Sequence, residues 1–330
     1  MDYKNIFRRF CELNVMIIGD VMIDSYKWGK VERISPEAPV PICSVNNIEN
    51  RMGGAGNVAL NIKALGGTPI LCSVVGKDGS GDTLLQLMKE ENMSTDNIVK
   101  SNYRPTTIKT RIIGNNVQML RVDNENTDYL NEEEENLLME KILSVLDKQK
   151  IDVIIFQDYD KGVITKNIIQ KTINKAKEKN IPTCVDPKHR NFSLYKEVTL
   201  FKPNLKELKE GLKIEFTLPS LDNLTDAALL LHGKQRIDRI FITLSEYGLF
   251  FADYSKTKAE IKQLPANVRN IADVSGAGDT VISVASLCLA LNLPNEEIAK
   301  ISNLAGGLVC EYVGVVPIEK ERLYRELLAI

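Results

Sequence analysis

Apolar and polar positions follow two rhythms along this chain. Short apolar runs bounded by Gly, Asp or Pro predict buried strands, and apolar residues recurring every three or four positions predict helices. Residues 1–12 mix charges with Phe7 and Phe10 as an amphipathic first helix. Residues 15–18 form an apolar run that ends in Gly19-Asp20, the pattern of a buried strand with a polar tip. Asp24 follows, and then Arg33-Ile34-Ser35-Pro36-Glu37-Ala38-Pro39-Val40-Pro41, in which three prolines fall within six residues. No helix survives there, so a stiff extended excursion leads into a strand over 40–45. Gly53-Gly54-Ala55-Gly56-Asn57 opens a helix carried by Val58, Leu60, Ile62 and Leu65 and ended by Gly66-Gly67. A strand over 70–75, a Gly/Asp turn over 76–81 and a helix through Glu91 come next. Segments 106–113 and 117–122 alternate around Gly114-Asn115-Asn116, which predicts a hairpin. Hairpin and excursion together predict a small sheet, over about 25–46 and 104–123, projecting from the main body.

From residue 131 the alternation of strand and helix becomes strict. Asn131 with Glu134 resembles a capping box for a helix to about 148, and four successive glutamates suit its N-terminus. Strand 151–157, helix 165–178, strands 183–185 and 198–201, helices 205–211 and 222–231 and strand 239–244 follow. Such alternation predicts parallel βαβ units. The fold class is therefore α/β, a doubly wound and mostly parallel sheet flanked by helices, with a small β-sheet lid. No linker divides the main body, so residues 1–330 are expected to form a single domain.

Composition narrows the partners. Lys and Arg number 42 against 44 Asp and Glu, which gives no global pull toward nucleic acid or membrane. The longest apolar runs are too short to span a bilayer, and the N-terminus lacks the apolar core of a signal peptide. The six cysteines contain no C-x-x-C and read as free thiols, most of them buried, in a reducing cytoplasm. The two histidines are not spaced for a metal.

Two features carry candidate chemistry. The predicted core strands end in Asp20, Asp158, Asp186, Asn204, and Thr243 with Ser245. Ligands of open α/β sheets bind outside the carboxyl ends of the strands, so these residues should line one edge. The second feature is Asp273-Val274-Ser275-Gly276-Ala277-Gly278-Asp279-Thr280, which leads straight into a helical pattern. Unpaired N–H groups and the dipole at a helix start attract anions, and glycine lets the backbone approach them. Asp279 would lie beside such an anion, where a carboxylate can accept a proton during phosphoryl transfer. Capping alone also explains an aspartate there, and turns alone explain polar strand ends. A G-x-G-x-x-G fingerprint fails because Val281 holds the third glycine position, and no Walker A Gly-Lys-Ser/Thr occurs.

The pair Gly53-Gly54-Ala55-Gly56-Asn57 and Asp273-x-x-Gly276-Ala277-Gly278-Asp279 resembles the two signatures of the ribokinase-like (PfkB) carbohydrate kinases, over essentially the whole chain. Within that family, residues 33–41, with 19–24 and Val185-Asp186-Pro187-Lys188, look like the heptose 7-phosphate kinases. The resemblance implies an ATP- and Mg²⁺-dependent sugar kinase acting at O1 of D-glycero-β-D-manno-heptose 7-phosphate. Asp279 would be the base, and the N–H groups of Gly276, Ala277 and Gly278 the anion hole. Asn204 and Glu207 match an N-x-x-E motif that helps place Mg²⁺ and the ATP phosphates, and Lys188 would meet the γ-phosphate. Thr243, Ser245 and Gly248 would border the nucleotide, with Asn303 near adenine. Asp20, Asp24, Gly53, Gly54 and Asn57 would hold sugar hydroxyls. The lid would close over the sugar and build a homodimer, and a monovalent cation is a further candidate.

The substrate phosphate would need cations, for which Arg33, Arg104, Lys109, Arg111 and Arg121 are candidates. Neither histidine lies in the H-x-G-H motif of a fused nucleotidyltransferase, so only the kinase step is expected. Ser275 stands where the family usually has threonine, which keeps the hydroxyl. Another sugar kinase of the family and an inactive sugar- or nucleotide-binding protein are the alternatives. At a helix N-terminus Asp279 is expected to be ionised, with a lowered pKa.

Overall fold

A computed structural model describes residues 1–267 and 269–329. After helix α1 (Tyr3–Arg9), strand β1 (Asn14–Gly19) enters the core. Strands β2 (Val21–Ile34) and β3 (Pro41–Gly54) leave it and return as a long ribbon into helix α2 (Ala55–Ala64). Then come β4 (Thr68–Gly76), α3 (Gly79–Glu90), β5 (Ile98–Ser101), the hairpin β6 (Ile108–Gly114) and β7 (Val117–Asn124), and α4 (Glu132–Lys148). The next elements are β8 (Val153–Gln157), α5 (Lys166–Glu178), β9 (Thr183–Asp186), β10 (Leu200–Phe201), α6 (Leu205–Leu212) and α7 (Leu221–Gln235). The chain closes with β11 (Arg239–Thr243), β12 (Leu249–Asp253), β13 (Glu260–Leu264), α8 (Ala277–Ala290), α9 (Asn295–Val309) and α10 (Lys320–Leu328).

Nine strands form the main sheet in the order β13-β12-β11-β10-β9-β8-β1-β4-β5. From β11 to β5 all pairings are parallel, and β12 and β13 add an antiparallel edge. Both faces are covered. In β1, Val15 and Ile17 point into one hydrophobic cluster, while Met16 and Ile18 point into the other. That two-sided burial explains why the core strands read as continuous apolar runs. The capping box at Asn131 and Glu134 forms as expected. Strands β5, β12 and β13 and helices α9 and α10 were not anticipated. Of the six free cysteines only Cys72, Cys184 and Cys288 are buried, while Cys11 is exposed.

The second sheet has four strands, β3-β2-β6-β7, and uses more of the chain than the hairpin and excursion suggested. Residues 35–40 merely join β2 to β3, because the prolines stop the ladder there. The sheet leans on the main body through specific contacts. The N–H of Val315 donates to the Tyr26 hydroxyl at 3.2 Å, and Arg51 Nη1 donates to the carbonyls of Val313 and Val315 at 3.3 and 3.0 Å. Both Arg51 and Arg111 stack over the Tyr26 ring. Tyr26→Phe leaves the Val315 N–H without its buried acceptor and is expected to lower stability by about 1 kcal/mol, read as a lower denaturant midpoint with unchanged slope.

Candidate active site

Helix α8 begins where the sequence places it. Gly276 caps it with φ +80°, a conformation that favours glycine, and a Cβ there would come within 2.9 Å of Asn57 Nδ2. Asp279 sits in the first turn and is 3% exposed. Its carboxylate accepts three hydrogen bonds, from Asn57 Nδ2 at 2.7 Å, Gln157 Nε2 at 2.9 Å and the Tyr159 hydroxyl at 2.7 Å. Asn61, one turn after Asn57 on α2, donates to Asn57 Oδ1 at 3.2 Å and fixes that side chain. Two carboxylate oxygens offer about four acceptor positions, so roughly one stays open for a hydroxyl.

Burial pushes the Asp279 carboxyl up to about 7, although bonds from Asn57 and Tyr159 and the Lys202 cation favour the charged form. The expectation of a lowered pKa is thereby overturned, because desolvation outweighs the helix dipole. A base poised near 7 is better matched to neutral pH than an ordinary aspartate. The Ala277 N–H, expected in the anion hole, donates to the Val274 carbonyl at 3.3 Å and so helps close the turn.

Cations gather beside the turn. A Cβ on Gly278 would lie 3.6 Å from Lys202 Nζ, whose side chain is only 2% exposed and pairs with Asp186 at 3.1 Å. Lys188 pairs with Glu207. Burial opposes the Lys188 charge, but Asp186 and Glu207 outweigh it and raise its pKa. The Asn204–Glu207 motif is itself a capping box: each side chain accepts the other's backbone N–H at 2.8 Å. Burial and the nearby Asp186 charge raise the Glu207 pKa. Asn204 also bridges to Thr243 at the end of β11. Asn204, Thr243 and Ser245 line a cleft of about 1160 Å³ with Lys206, Lys209 and Phe216. Gly248 closes the turn into β12, and Asn303 on α9 donates to the Pro265 carbonyl at 2.9 Å.

The sugar-side residues are less free than expected. Asp20 accepts from the backbone N–H groups of Tyr159, Lys161 and Val163 at 2.8, 3.1 and 3.0 Å. Its buried carboxylate therefore braces the 158–163 loop. Asp24 is paired with Arg111 at 2.5 Å, and Gly53 is needed beside it because a Cβ would sit 2.1 Å from Asp24 Oδ2. Asn57 serves Asp279. Asp158 accepts from Asn191 Nδ2 and the Tyr195 hydroxyl at 2.9 and 2.8 Å, and its pKa rises to about 7 through burial and the Asp20 charge.

Gln157, Tyr159 and Lys202 were missed from sequence. Gln157 and Tyr159 flank a strand end whose aspartate drew attention, and Lys202 lies two residues before Asn204. Each became visible only when three strands aligned their ends.

The family model for pfkB family carbohydrate kinases matches residues 12–321. This chain belongs to that family, whose members transfer a phosphoryl group to an alcohol. It is 38% identical over 314 residues to the bifunctional protein HldE of Methylobacillus flagellatus, covering 95% of this chain and 63% of that protein. It is 36% identical to the protein of the same name in Campylobacter fetus, covering 92% of this chain and 64% of that one. The chain thus spans somewhat under two thirds of these relatives. Phosphofructokinase-2 of Escherichia coli, solved in complex with fructose-6-phosphate, shares the fold with a TM-score of 0.76 at 21% identity, covering 96% of this chain and 99% of that one. Arabidopsis thaliana ribokinase complexed with ribose and ATP shares it with a TM-score of 0.70 at 15% identity, covering 95% and 98%.

The pH dependence follows from the Asp279 environment. With Asp279 as the expected base, its ionised form would be the active one, and kcat/KM should fall as pH drops through about 7. Tyr159→Phe removes a hydrogen bond that favours ionisation, and it should move this acidic limb to higher pH. An unmoved limb would show that Tyr159 does not tune Asp279.

Proposed function

We propose that this chain uses ATP to phosphorylate D-glycero-β-D-manno-heptose 7-phosphate at O1, giving the 1,7-bisphosphate used for ADP-heptose and the lipopolysaccharide core. The observation that carries the kinase reading is Asp279, buried at the head of α8 beside the glycine turn and Lys202. The substrate reading is supported by the 33–41 segment and by the HldE relatives. It concerns the kinase step alone.

ATP would supply the phosphoryl group, and Mg²⁺ would neutralise developing charge on its oxygens. Among the described residues no cluster of three His, Cys, Asp or Glu side chains suits a metal ion. Mg²⁺ needs none, since it binds through one or two carboxylates, waters and substrate phosphates. Asp186 and Glu207 offer such oxygens, Glu207 as an indirect ligand. Asn204, Thr243, Ser245, Gly248 and Asn303 would border the nucleotide. Lys188 and Lys202 would meet its phosphates, and the N–H groups of Gly276, Ala277 and Gly278 would stabilise the transferring group. Asp279 takes the proton from the sugar hydroxyl. Asp20, Asp24, Gly53, Gly54 and Asn57 would shape the sugar pocket, several of them by holding other residues in place. A monovalent cation beside the turn belongs to the same proposal, and a phosphofructokinase-2 neighbour was solved in complex with potassium.

The lid is the proposed homodimer surface. Ile48, Lys27, Ile112 and Leu120 stand in register across its outer face. Ile48 and Leu120 are 58% and 54% exposed, and Val122 nearby is 49% exposed. Exposed apolar groups in one row suit a partner copy. Among the described residues no helix is long and apolar enough to cross a membrane. Use of ATP fits a cytoplasmic location.

A panel of sugars with ATP tests the substrate. Heptose 7-phosphate should outperform ribose, fructose and other unphosphorylated sugars, and the reverse ranking would replace this reading with another kinase of the family. Asp279→Asn should reduce kcat by at least a thousandfold while ATP still binds. Turnover close to that of the unaltered protein would remove the proposed base. Leu120→Lys should give a monomer by sedimentation, and an unaltered dimer would place the interface elsewhere.

A further inference from the structure

The inner face of the lid carries its charges in two rows. Arg51, Asp24, Lys109 and Asp123 stand in register across β3, β2, β6 and β7, and Glu49, Tyr26, Arg111 and Arg121 form the next row on the same face. Three of the four cations are neutralised in place. Arg51 pairs with Glu49 at 2.6 Å, Arg111 with Asp24 at 2.5 Å and Arg121 with Asp123 at 3.0 Å. Lys109 is left over: it is half-buried, and among the described residues it has no ion pair.

A second cation approaches it from the main body. Lys161 Nζ pairs at 2.7 Å with Glu125, which lies two residues beyond Asp123, the register partner of Lys109. Its side chain is 15% exposed, and the Lys161 carbonyl accepts from Arg104 at 2.5 Å, so the residue is anchored at both ends. Burial, and then the like charge of Lys161, push the Lys109 ammonium below its usual range. Asp123 and Glu125 act on this cation from nearby, but among the described residues neither forms an ion pair with it. Around it Lys109, Arg121 and Lys161 face Asp123 and Glu125, leaving one positive charge in surplus.

We infer that Lys109 and Lys161 together hold the distal phosphate of a phosphorylated sugar whose reacting hydroxyl lies at Asp279. This assignment rests on the kinase reading above and names the groups that recognise its substrate class. The other candidate cations are committed elsewhere. Arg33 is exposed, Arg104 donates to the carbonyls of Asn126, Asp128 and Lys161, and Arg111 and Arg121 are paired. Lys161 also lies two residues after Tyr159, which donates to Asp279, and Asp20 pins the backbone of both. Two residues of chain span at most ~7 Å, the length scale of one sugar with its exocyclic chain. The reacting end and the phosphate end would thus be located by one braced loop.

The test is the ratio of kcat/KM for heptose 7-phosphate to that for the same heptose without phosphate. In Lys109→Gln this ratio should fall about ten- to a hundredfold, mainly through KM for the phosphorylated sugar. Lys161→Gln should act in the same direction, and Lys109→Arg should keep most of the ratio. Circular dichroism and the thermal midpoint identify any variant that has merely unfolded, in which case the Lys109→Arg and Lys161→Gln ratios decide. If the unaltered protein favours the phosphorylated sugar and Lys109→Gln keeps that preference, this assignment falls while the kinase reading stands. If the unaltered protein favours the unphosphorylated sugar, the heptose phosphate reading falls and the phosphate subsite with it.

Discussion

Burying one carboxylate is the constraint around which the active edge is arranged. Asp279 is almost wholly buried, and an unpaired buried carboxylate is costly. Its three donors come from α2, the end of β8 and the loop after it, 222, 122 and 120 residues away in the chain. Satisfying Asp279 therefore requires that α2, α8 and the central strands already be assembled. Burial in that arrangement raises its pKa while the donors oppose the rise, so the fold sets the proton affinity of this carboxylate.

A second buried carboxylate does related work by different means. Asp20 receives three backbone N–H groups from the 158–163 loop and makes that loop part of the rigid sheet edge. Tyr159 and Lys161 inherit their positions from it. A sequence pattern that looks like a row of ligand-binding aspartates is thus divided in function. Asp20 and Asp158 hold backbone and side chains, Asp186 holds Lys202, and Asp279 gathers side-chain donors from α2, β8 and the loop after it.

The parallel core was legible because strands covered on both faces must be apolar throughout, and such runs stand out between helices. The glycine turn and Asp279 were legible because a helix start beside glycines has few physical uses. Strand β13 was hidden for the opposite reason: it forms the sheet edge and carries charges that a core strand could not. Tyr159 and Lys202 escaped because nothing local marks them. A tyrosine in a loop and a lysine at a strand end are ordinary until the sheet brings them to one point. The sign of the Asp279 shift also lay outside the sequence, since helix dipole and burial oppose each other and only the depth of burial decides.

The joint between lid and body has a consequence for binding. Tyr26 and Arg51 on the lid hold the 313–315 segment, and the Gly314 N–H donates to Asp273 Oδ2 at 2.9 Å while Asp273 Oδ1 accepts from Ser275. Asp273 opens the glycine turn, so lid, segment and turn form one mechanical train. Where occupancy at one end biases the arrangement of this train, linkage requires reciprocity. A ligand at the turn and a ligand under the four-stranded sheet would then each tighten the other's binding by the same factor.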